Sequence, residues 1–190
     1  MLQISRKLTL QEFLATSEGE GDLVYELVDG QAVPKMSPRF FHASLTLALL
    51  SPISRWCQGW GRVRANWAVI LTRQGQDWAP VPDLLYVSHQ RLPATWLQDE
   101  ACPAIPELVV EITSPRQSFG GLAGKARDYL DAGVLRVWII DSQARSVTVF
   151  YPDAPPQTYT GETLIADPSF TWLKITAEQI FQQAGIPYPY

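Results

Sequence analysis

The stretch 107–141, ELVVEITSPRQSFGGLAGKARDYLDAGVLRVWIID, predicts the centre of the fold. Its first six residues, ELVVEI, are almost continuously apolar, which is typical of a strand buried on both faces of a sheet. Residues 117–132 predict a helix that ends at Gly133, because glycine is the usual residue just past a helix. VLRVWIID then predicts a second strand. Together these segments predict a β-α-β unit whose helix covers one face of the sheet.

Further strands are predicted on both sides of this unit. RVRANWAVIL (62–71) and VPDLLYVS (81–88) precede it, and SVTVFY (146–151) follows as a strand paired with VLRVWIID. Nearer the start, LVYELVDGQAVP predicts two short strands joined by Asp29-Gly30, which is the strongest two-residue signal for a hairpin. The stretch 89–106 is rich in proline and polar residues and is predicted to be irregular.

Three further helices are predicted. Thr9 and Glu12 form a capping-box pattern that begins the first. Apolar residues recur at helical spacing from Pro38 to about Trp56, and Thr176 caps a last short helix near 176–183. The order of elements predicts an α/β (α+β) fold with a mixed sheet flanked by helices. We expect one domain spanning residues 1–190.

The composition is that of a globular protein. Of the 190 residues, 46% are hydrophobic and 18% are charged, and no apolar run approaches the roughly 18–20 residues that a membrane span needs. Cys57 and Cys102 lack the spacing of metal ligands and are too few for a disulfide framework, so we expect free thiols in a reducing compartment. These observations predict a soluble, cytoplasmic protein.

The charge distribution leaves the question of a nucleic-acid partner open. The formal net charge is −4, which is unfavourable for binding a polyanion. Residues 50–149, however, hold 10 basic and 9 acidic side chains, and a bound metal ion would add positive charge where a phosphate must sit. Charge alone therefore neither supports nor excludes DNA as a partner.

Asp83 and Glu111 are the residues whose positions suggest chemistry. Asp83 lies near the start of one predicted strand, and Glu111 lies near the end of another, 28 residues later (111 − 83). A carboxylate within an apolar strand is costly to bury unless something compensates its charge. A hard divalent cation would do so, because Mg²⁺ prefers carboxylate oxygens and water. The alternative is a glutamate at a strand end that reaches solvent or pairs with an arginine.

A resemblance to a known family favours the metal site over this alternative. The chain resembles the Uma family of restriction-endonuclease-like proteins, within the PD-(D/E)xK nuclease superfamily, from its opening helix to the strand at 147–151. The matching features are Glu26 in YELVDG, His42, Pro82-Asp83, Glu111 in ELVVEITSP, Lys125, Tyr129, Gly133-Val134 and Trp138-Ile-Ile-Asp141. The resemblance implies a restriction-endonuclease-like fold, DNA as substrate, and hydrolysis of phosphodiester bonds that depends on Mg²⁺ or Mn²⁺.

The resemblance also implies roles for individual residues. Asp83 and Glu111 would ligate the metal, helped by the backbone carbonyl of Ile112. Glu26 would orient water or complete the metal's ligand shell, and Lys125 would supply a catalytic cation. From the residues alone, Glu26 could equally be a strand residue beside a turn, and Lys125 a solvated lysine on a helix.

Two departures from the superfamily pattern favour a different function. The pattern places lysine two residues after the glutamate, where this chain has Thr113. The segment 117–124, QSFGGLAG, is rich in glycine, which disfavours a helix interior and predicts that the helix starts late, near Leu122. The alternative function is a catalytically weak or inactive nuclease fold that serves as an interaction or regulatory domain, and a third is a cytoplasmic protein that binds small anions.

The remaining expectations concern packing and assembly. His42 is expected to be a packed rather than a catalytic histidine, and Tyr129, one helical turn after Lys125, is expected to pack beneath that lysine. Aromatic residues in the segment 89–106 and the tail IPYPY (186–190) suggest surfaces for a homo-oligomer.

Overall fold

The computed structural model describes residues 6–17, 24–114 and 117–187. The helices and strands follow one another along these residues in this order: α1 (Leu10–Ser17), β1 (Tyr25–Val28), β2 (Gln31–Pro34), α2 (Phe40–Trp56), β3 (Gly61–Ala65), β4 (Leu71–Arg73), β5 (Gln76–Trp78), β6 (Leu84–Ser88), β7 (Leu108–Ile112), α3 (Phe119–Asp131), β8 (Arg136–Asp141), β9 (Ser146–Phe150), β10 (Gln157–Thr160), a short 3-10 helix (Pro168–Phe170) and α4 (Ala177–Gln183).

Six of the strands form one mixed sheet in the order β10-β9-β8-β7-β6-β3. β7 and β8 are parallel, and the other neighbours are antiparallel. Helix α3 connects the two parallel strands and packs against β8, which confirms the predicted β-α-β unit. β1–β2 and β4–β5 form separate two-stranded hairpins. The structure therefore confirms the predicted mixed α+β architecture with helices flanking a sheet.

The central sheet is buried on both faces. Helices α2 and α4 cover one face, where Leu49, Val110 and Phe181 belong to one hydrophobic cluster. Helix α3 and the β4–β5 hairpin cover the other, where Val109 and Tyr129 belong to a second cluster. Burial on both faces explains why β7 is almost continuously apolar. Glu111 is the exception to this apolar pattern.

The predicted strand 62–71 is wrong as a single element. β3 ends at Ala65 and β4 begins at Leu71, and Asn66 between them has a φ of 49°. Asparagine tolerates this left-handed conformation better than most residues do. A residue in this conformation cannot continue a β-strand, so β3 ends before Asn66. The backbone N–H of Asn66 donates to the carbonyl of Asp83 at 3.2 Å, so the break is held by a contact with the start of β6. β5 and β10 were not predicted.

The local signals for helix and hairpin boundaries are confirmed. Thr9 and Glu12 exchange hydrogen bonds as a capping box, and Thr176 caps α4 in the same way. Asp29 and Gly30, with φ values of 53° and 79°, form the turn between β1 and β2. In the described part of the chain, no helix has both the length and the apolar character required to cross a membrane. The last three residues of the IPYPY tail lie outside the described residues.

Helix α3 begins earlier than its glycines suggested. It starts at Phe119, not near Leu122, because the hydroxyl of Ser118 accepts a hydrogen bond from the backbone N–H of Gly121 at 3.1 Å. A serine cap satisfies one of the N–H groups that a helix start leaves without a partner. The cap offsets part of the low helix propensity of the glycines. Lys125 is consequently in the second turn of the helix rather than at its frayed end.

Removing this cap is expected to weaken the start of α3. Ser118→Ala should lower the free energy of unfolding by about 1 kcal/mol, because Gly121 loses its hydrogen-bond acceptor. Ser118→Asp, which keeps an acceptor at the same position, should remain close to the original protein. Urea denaturation of the three proteins measures the difference. Equal stability of the alanine and aspartate variants would contradict a stabilising cap.

Candidate active site

The pairing of β6 with β7 sets Asp83 opposite Glu111. In that antiparallel pair Leu84 faces Val110 and Leu85 faces Val109, so continuing the register by one residue brings Asp83 to Glu111. Directly opposed residues in an antiparallel pair extend to the same face of the sheet. Both side chains are buried, with 1% and 4% of the residue exposed. Two carboxylates distant in sequence thus become neighbours at one end of the strands, on the face covered by α3.

The carboxylate of Asp83 is surrounded by donors and cations. Oδ2 accepts a hydrogen bond from the backbone N–H of Ile112 at 2.7 Å and lies 3.0 Å from Nε2 of His42. Oδ1 accepts from Nζ of Lys35 at 2.6 Å. The same ammonium donates to the carbonyl of Val81 at 2.6 Å. Asp83 therefore links β6 to the end of β7, to α2 and to the residue after β2.

The carboxylate of Glu111 is bound by two residues of α3. Nζ of Lys125 lies 3.0 Å from Oε1 of Glu111, and the Tyr129 hydroxyl donates to the same oxygen at 2.8 Å. One turn of helix separates the two donors, so both reach the strand from the same helix face. Lys125 also lies 5.7 Å from the centre of the Tyr129 ring. The predicted packing of Tyr129 beneath Lys125 is present, and the hydroxyl adds a hydrogen bond to Glu111 that was not predicted.

Glu26 completes the cluster from the first hairpin. Its Oε1 accepts from Nζ of Lys125 at 2.9 Å and from the backbone N–H of Val81 at 3.0 Å, and its Oε2 accepts from the same ammonium at 3.1 Å. Lys125 is thus held between two carboxylates from different parts of the chain. The structure brings together all four residues singled out in the sequence, Glu26, Asp83, Glu111 and Lys125.

The two opposed carboxylates differ in their electrostatic surroundings. Burial tends to raise the pKa of Asp83, but the hydrogen bond from His42 and the charge of Lys35 outweigh burial and lower that pKa overall. Burial raises the pKa of Glu111, the charge of Lys125 opposes this, and the nearby charge of Asp83 adds to it. Burial tends to lower the pKa of Lys125, but Glu111 and Glu26 outweigh it and raise the pKa, so the ammonium stays charged. The neighbouring negative charges of the Asp83 and Glu111 carboxylates would favour a cation bound between them.

The donor set fits a hard divalent cation. Asp83 and Glu111 offer buried carboxylate oxygens, and Mg²⁺ in proteins is commonly bound by one or two carboxylates plus water and phosphate. Within residues 6–17, 24–114 and 117–187, no group of three or more His, Cys, Asp or Glu side chains is arranged to hold a metal ion. The residues therefore suit an open site with water in several positions, and not a closed protein cage.

Three residues at the site were missed or given another role from sequence. Lys35 gave no signal, because it is 48 residues from Asp83 and lies just beyond a short, exposed strand. His42 was expected to be simply packed, yet its ring binds Asp83. Tyr129 was noted only for packing. Helical spacing predicted the Tyr129–Lys125 pair, but the contacts of Lys35 and His42 depend on tertiary structure alone.

Comparisons with known proteins agree with this architecture. A search of curated proteins gives no significant match. The crystal structure of a putative nuclease belonging to DUF820 from Anabaena variabilis superposes with a TM-score of 0.79 at 22% sequence identity, covering 93% of this chain and 99% of the other. At this identity the likeness shows a shared fold. The Uma2 family, described as putative restriction endonuclease, matches residues 10–178. Because that match spans most of the chain, the protein belongs to the Uma2 family of putative restriction endonucleases.

Proposed function

We propose that this protein is a divalent-metal-dependent endonuclease that hydrolyses phosphodiester bonds in DNA. The observation that carries the proposal is the buried pair Asp83 and Glu111, set side by side with the Lys125 ammonium 3.0 Å from Glu111. Two carboxylates and a cation at one sheet edge can bind a metal and a phosphate together. Family membership supports a nuclease, and the donor set supports the metal.

Asp83 and Glu111 would hold the metal, which is Mg²⁺ or Mn²⁺ in this proposal. When bound, such an ion polarises a phosphate oxygen and lowers the pKa of a coordinated water. Asp83 is already charged, since His42 and Lys35 lower its pKa. The Lys35 ammonium donates to Oδ1 of Asp83, so a metal held by that carboxylate would compete with Lys35 for its oxygens.

Lys125 would act on the reacting phosphate. Its ammonium lies 3.0 Å from Oε1 of Glu111, and it would take the role of the lysine that the superfamily pattern has two residues after the glutamate, a position that is Thr113 here. A fixed positive charge there offsets negative charge that develops on the phosphate oxygens as water adds to phosphorus and an ester bond breaks. Glu26 and Tyr129 hold the lysine and Glu111 in position, and the negative charges of Glu111 and Glu26 keep the ammonium charged. Glu26 would orient water or complete the metal's ligand shell.

A second function is favoured by one observation. Lys125 is engaged by both Glu26 and Glu111, and a lysine held so firmly can serve stability alone. In that case the chain is a catalytically weak or inactive nuclease fold that acts as an interaction or regulatory domain. The two functions differ in whether divalent ions bind and whether DNA is cut.

Incubation with supercoiled plasmid separates these functions. We expect the purified protein to convert plasmid to nicked or linear DNA with Mg²⁺ or Mn²⁺, and to leave it intact in the presence of a chelator. Calorimetric titration with each ion should show binding without DNA. Intact plasmid in every metal condition, together with no detectable ion binding, would contradict the proposed endonuclease and favour the regulatory domain.

A further inference from the structure

A groove of about 890 Å³ lies beside the candidate active site. One side of the groove is formed by β3 and the residues that follow it. The other side is formed by residues 96–103, which belong to the irregular segment before β7. This volume is towards the upper end of the roughly 300–1,000 Å³ typical of ligand sites. None of the residues assigned to the proposed active site lines the groove.

Two of the residues that line the groove are tryptophans. Trp67 and Trp96 both line it and pack against each other, with ring centres 5.8 Å apart and an angle of 39° between the rings. Both are half-buried, because each also packs partly against the hydrophobic cluster on the α3 face of the sheet. The indole N–H of Trp67 donates to the carbonyl of Glu100 at 2.8 Å, which fixes the position of that ring. The pair forms a preformed aromatic surface of the kind on which nucleobases stack.

The charges around the groove indicate which nucleic acid would fit. Arg62 uses its guanidinium to bind the carbonyls of residues 93, 94 and 96, so it serves mainly to hold the loop. Arg64 is exposed and uses only one guanidinium nitrogen, Nη1, to donate to the carbonyl of Val63 at 2.8 Å. Asp99 and Glu100 are exposed on the opposite side. One available arginine against two acids cannot neutralise the many phosphates that a duplex presents. Binding here must depend on stacking, which requires bases that are not already paired.

Asn66 connects the groove to the candidate active site. It lines both the groove and a smaller cavity of about 140 Å³ that contains Lys35 and His42. Its Oδ1 lies 3.4 Å from Nζ of Lys35, and that ammonium contacts Asp83 at 2.6 Å. A strand whose bases lie between Trp67 and Asp99 can therefore continue past Asn66 to the carboxylate pair.

We infer that the groove binds an unpaired segment of the DNA substrate, with bases stacked on Trp67 and Trp96 and a phosphate near Arg64. The inference rests on the proposed function and gives it a substrate class. The preferred substrate is single-stranded DNA or a duplex with an unpaired segment, and a negatively supercoiled plasmid supplies such segments where its duplex opens. The groove holds the unpaired bases and leaves the adjoining phosphate at Asp83 and Glu111.

Binding without metal tests the groove separately from cleavage. Fluorescence anisotropy of a labelled oligothymidylate of about 12 nucleotides is measured in chelator, beside a fully paired duplex of the same length. We expect the single strand to bind at least about ten-fold more tightly than the duplex. Trp96→Leu should weaken its binding about ten-fold, the scale of losing one stacked base, and Trp96→Phe should restore most of it. Trp172→Ala removes an 82% exposed tryptophan outside the groove and should change nothing.

Salt dependence gives a second measurement. With one arginine available, raising the salt from about 50 to about 200 mM should weaken binding only about three-fold. Duplex binding equal to single-strand binding, equal loss in the leucine and phenylalanine variants, or a steep salt dependence would each overturn the inference. Duplex cleavage without single-strand binding would overturn the groove and leave the proposed nuclease intact. Stacking-dependent binding without cleavage would support the groove and overturn the proposed nuclease.

Discussion

Glu111→Gln is expected to abolish cleavage of DNA while leaving the protein folded. The substitution removes the negative charge that a divalent ion needs, and it keeps nearly the same shape. Lys125 retains Glu26 as a partner, and the Tyr129 hydroxyl can still donate to the amide oxygen. No buried charge is therefore left alone. Asp83→Asn should also abolish cleavage, but it takes the charge partner from Lys35 and the carboxylate acceptor from the His42 ring, so we expect it to destabilise the fold.

The measurement pairs plasmid cleavage with thermal unfolding and ion titration. Glu162→Gln is the matched control, because it removes a carboxylate of the same type from an exposed position. We expect the control to cut DNA and bind the ion as the original protein does, and Glu111→Gln to do neither at an unchanged unfolding temperature. Cleavage that survives Glu111→Gln would show that the carboxylate pair is not the active site.

Lys125→Met should lower both turnover and stability. Loss of a positive charge that acts on the transition state should slow cleavage about 10²-fold or more. In the absence of metal, the same change leaves Glu26 and Glu111 without the ammonium that now lies between them. Removing one partner from a buried ion pair typically costs about 3 kcal/mol or more. For a chain of this size that loss lowers the unfolding temperature by roughly 6–12 °C.

A divalent ion should reverse part of this loss. It replaces the missing positive charge beside Glu111, so Mg²⁺ should raise the unfolding temperature of Lys125→Met more than that of the original protein. Lys174→Met is the control, because Lys174 is exposed and should be dispensable. Calorimetry with and without Mg²⁺ measures the shifts. If Lys125→Met matched the control in both stability and turnover, Lys125 would be a surface lysine without a role at the site.

Local patterns predicted much of the fold because local interactions form it. The capping boxes at Thr9 and Thr176 and the Asp29-Gly30 turn depend on neighbours within four residues, and the structure has them as predicted. Continuous apolar segments identified β7 and β8, because strands buried on both faces have no polar side. The prediction for 62–71 was wrong because Asn66 ends β3 through a contact with Asp83, which no local pattern contains.

The acidic residues of the candidate site and Lys125 could be predicted from the sequence, but Lys35 could not. Glu111 drew attention because a carboxylate in an apolar strand needs compensation, and Lys125 and Glu26 followed from resemblance to a family. Lys35 lies in a stretch without periodicity, and only the folded chain brings it to Asp83. The glycines of α3 suggested a late start to the helix, but the Ser118 cap offsets part of their cost and the helix begins at Phe119. Helix propensities alone misled because they do not include the cap.

The register of β6 and β7 has a consequence for when the site forms during synthesis. Glu26, Asp83, Glu111 and Lys125 emerge from the ribosome in that order, spread over about half of the chain. Their cluster requires the β6–β7 pairing, the docking of α3 and the contact between Lys125 and Glu26. The last of these joins residues 99 positions apart, and such long-range contacts form late. A slip of one residue in that pairing would turn Glu111 to the opposite face of the sheet. A nascent or misregistered chain therefore lacks the cluster, and under the proposed function a partly made protein would not cut DNA.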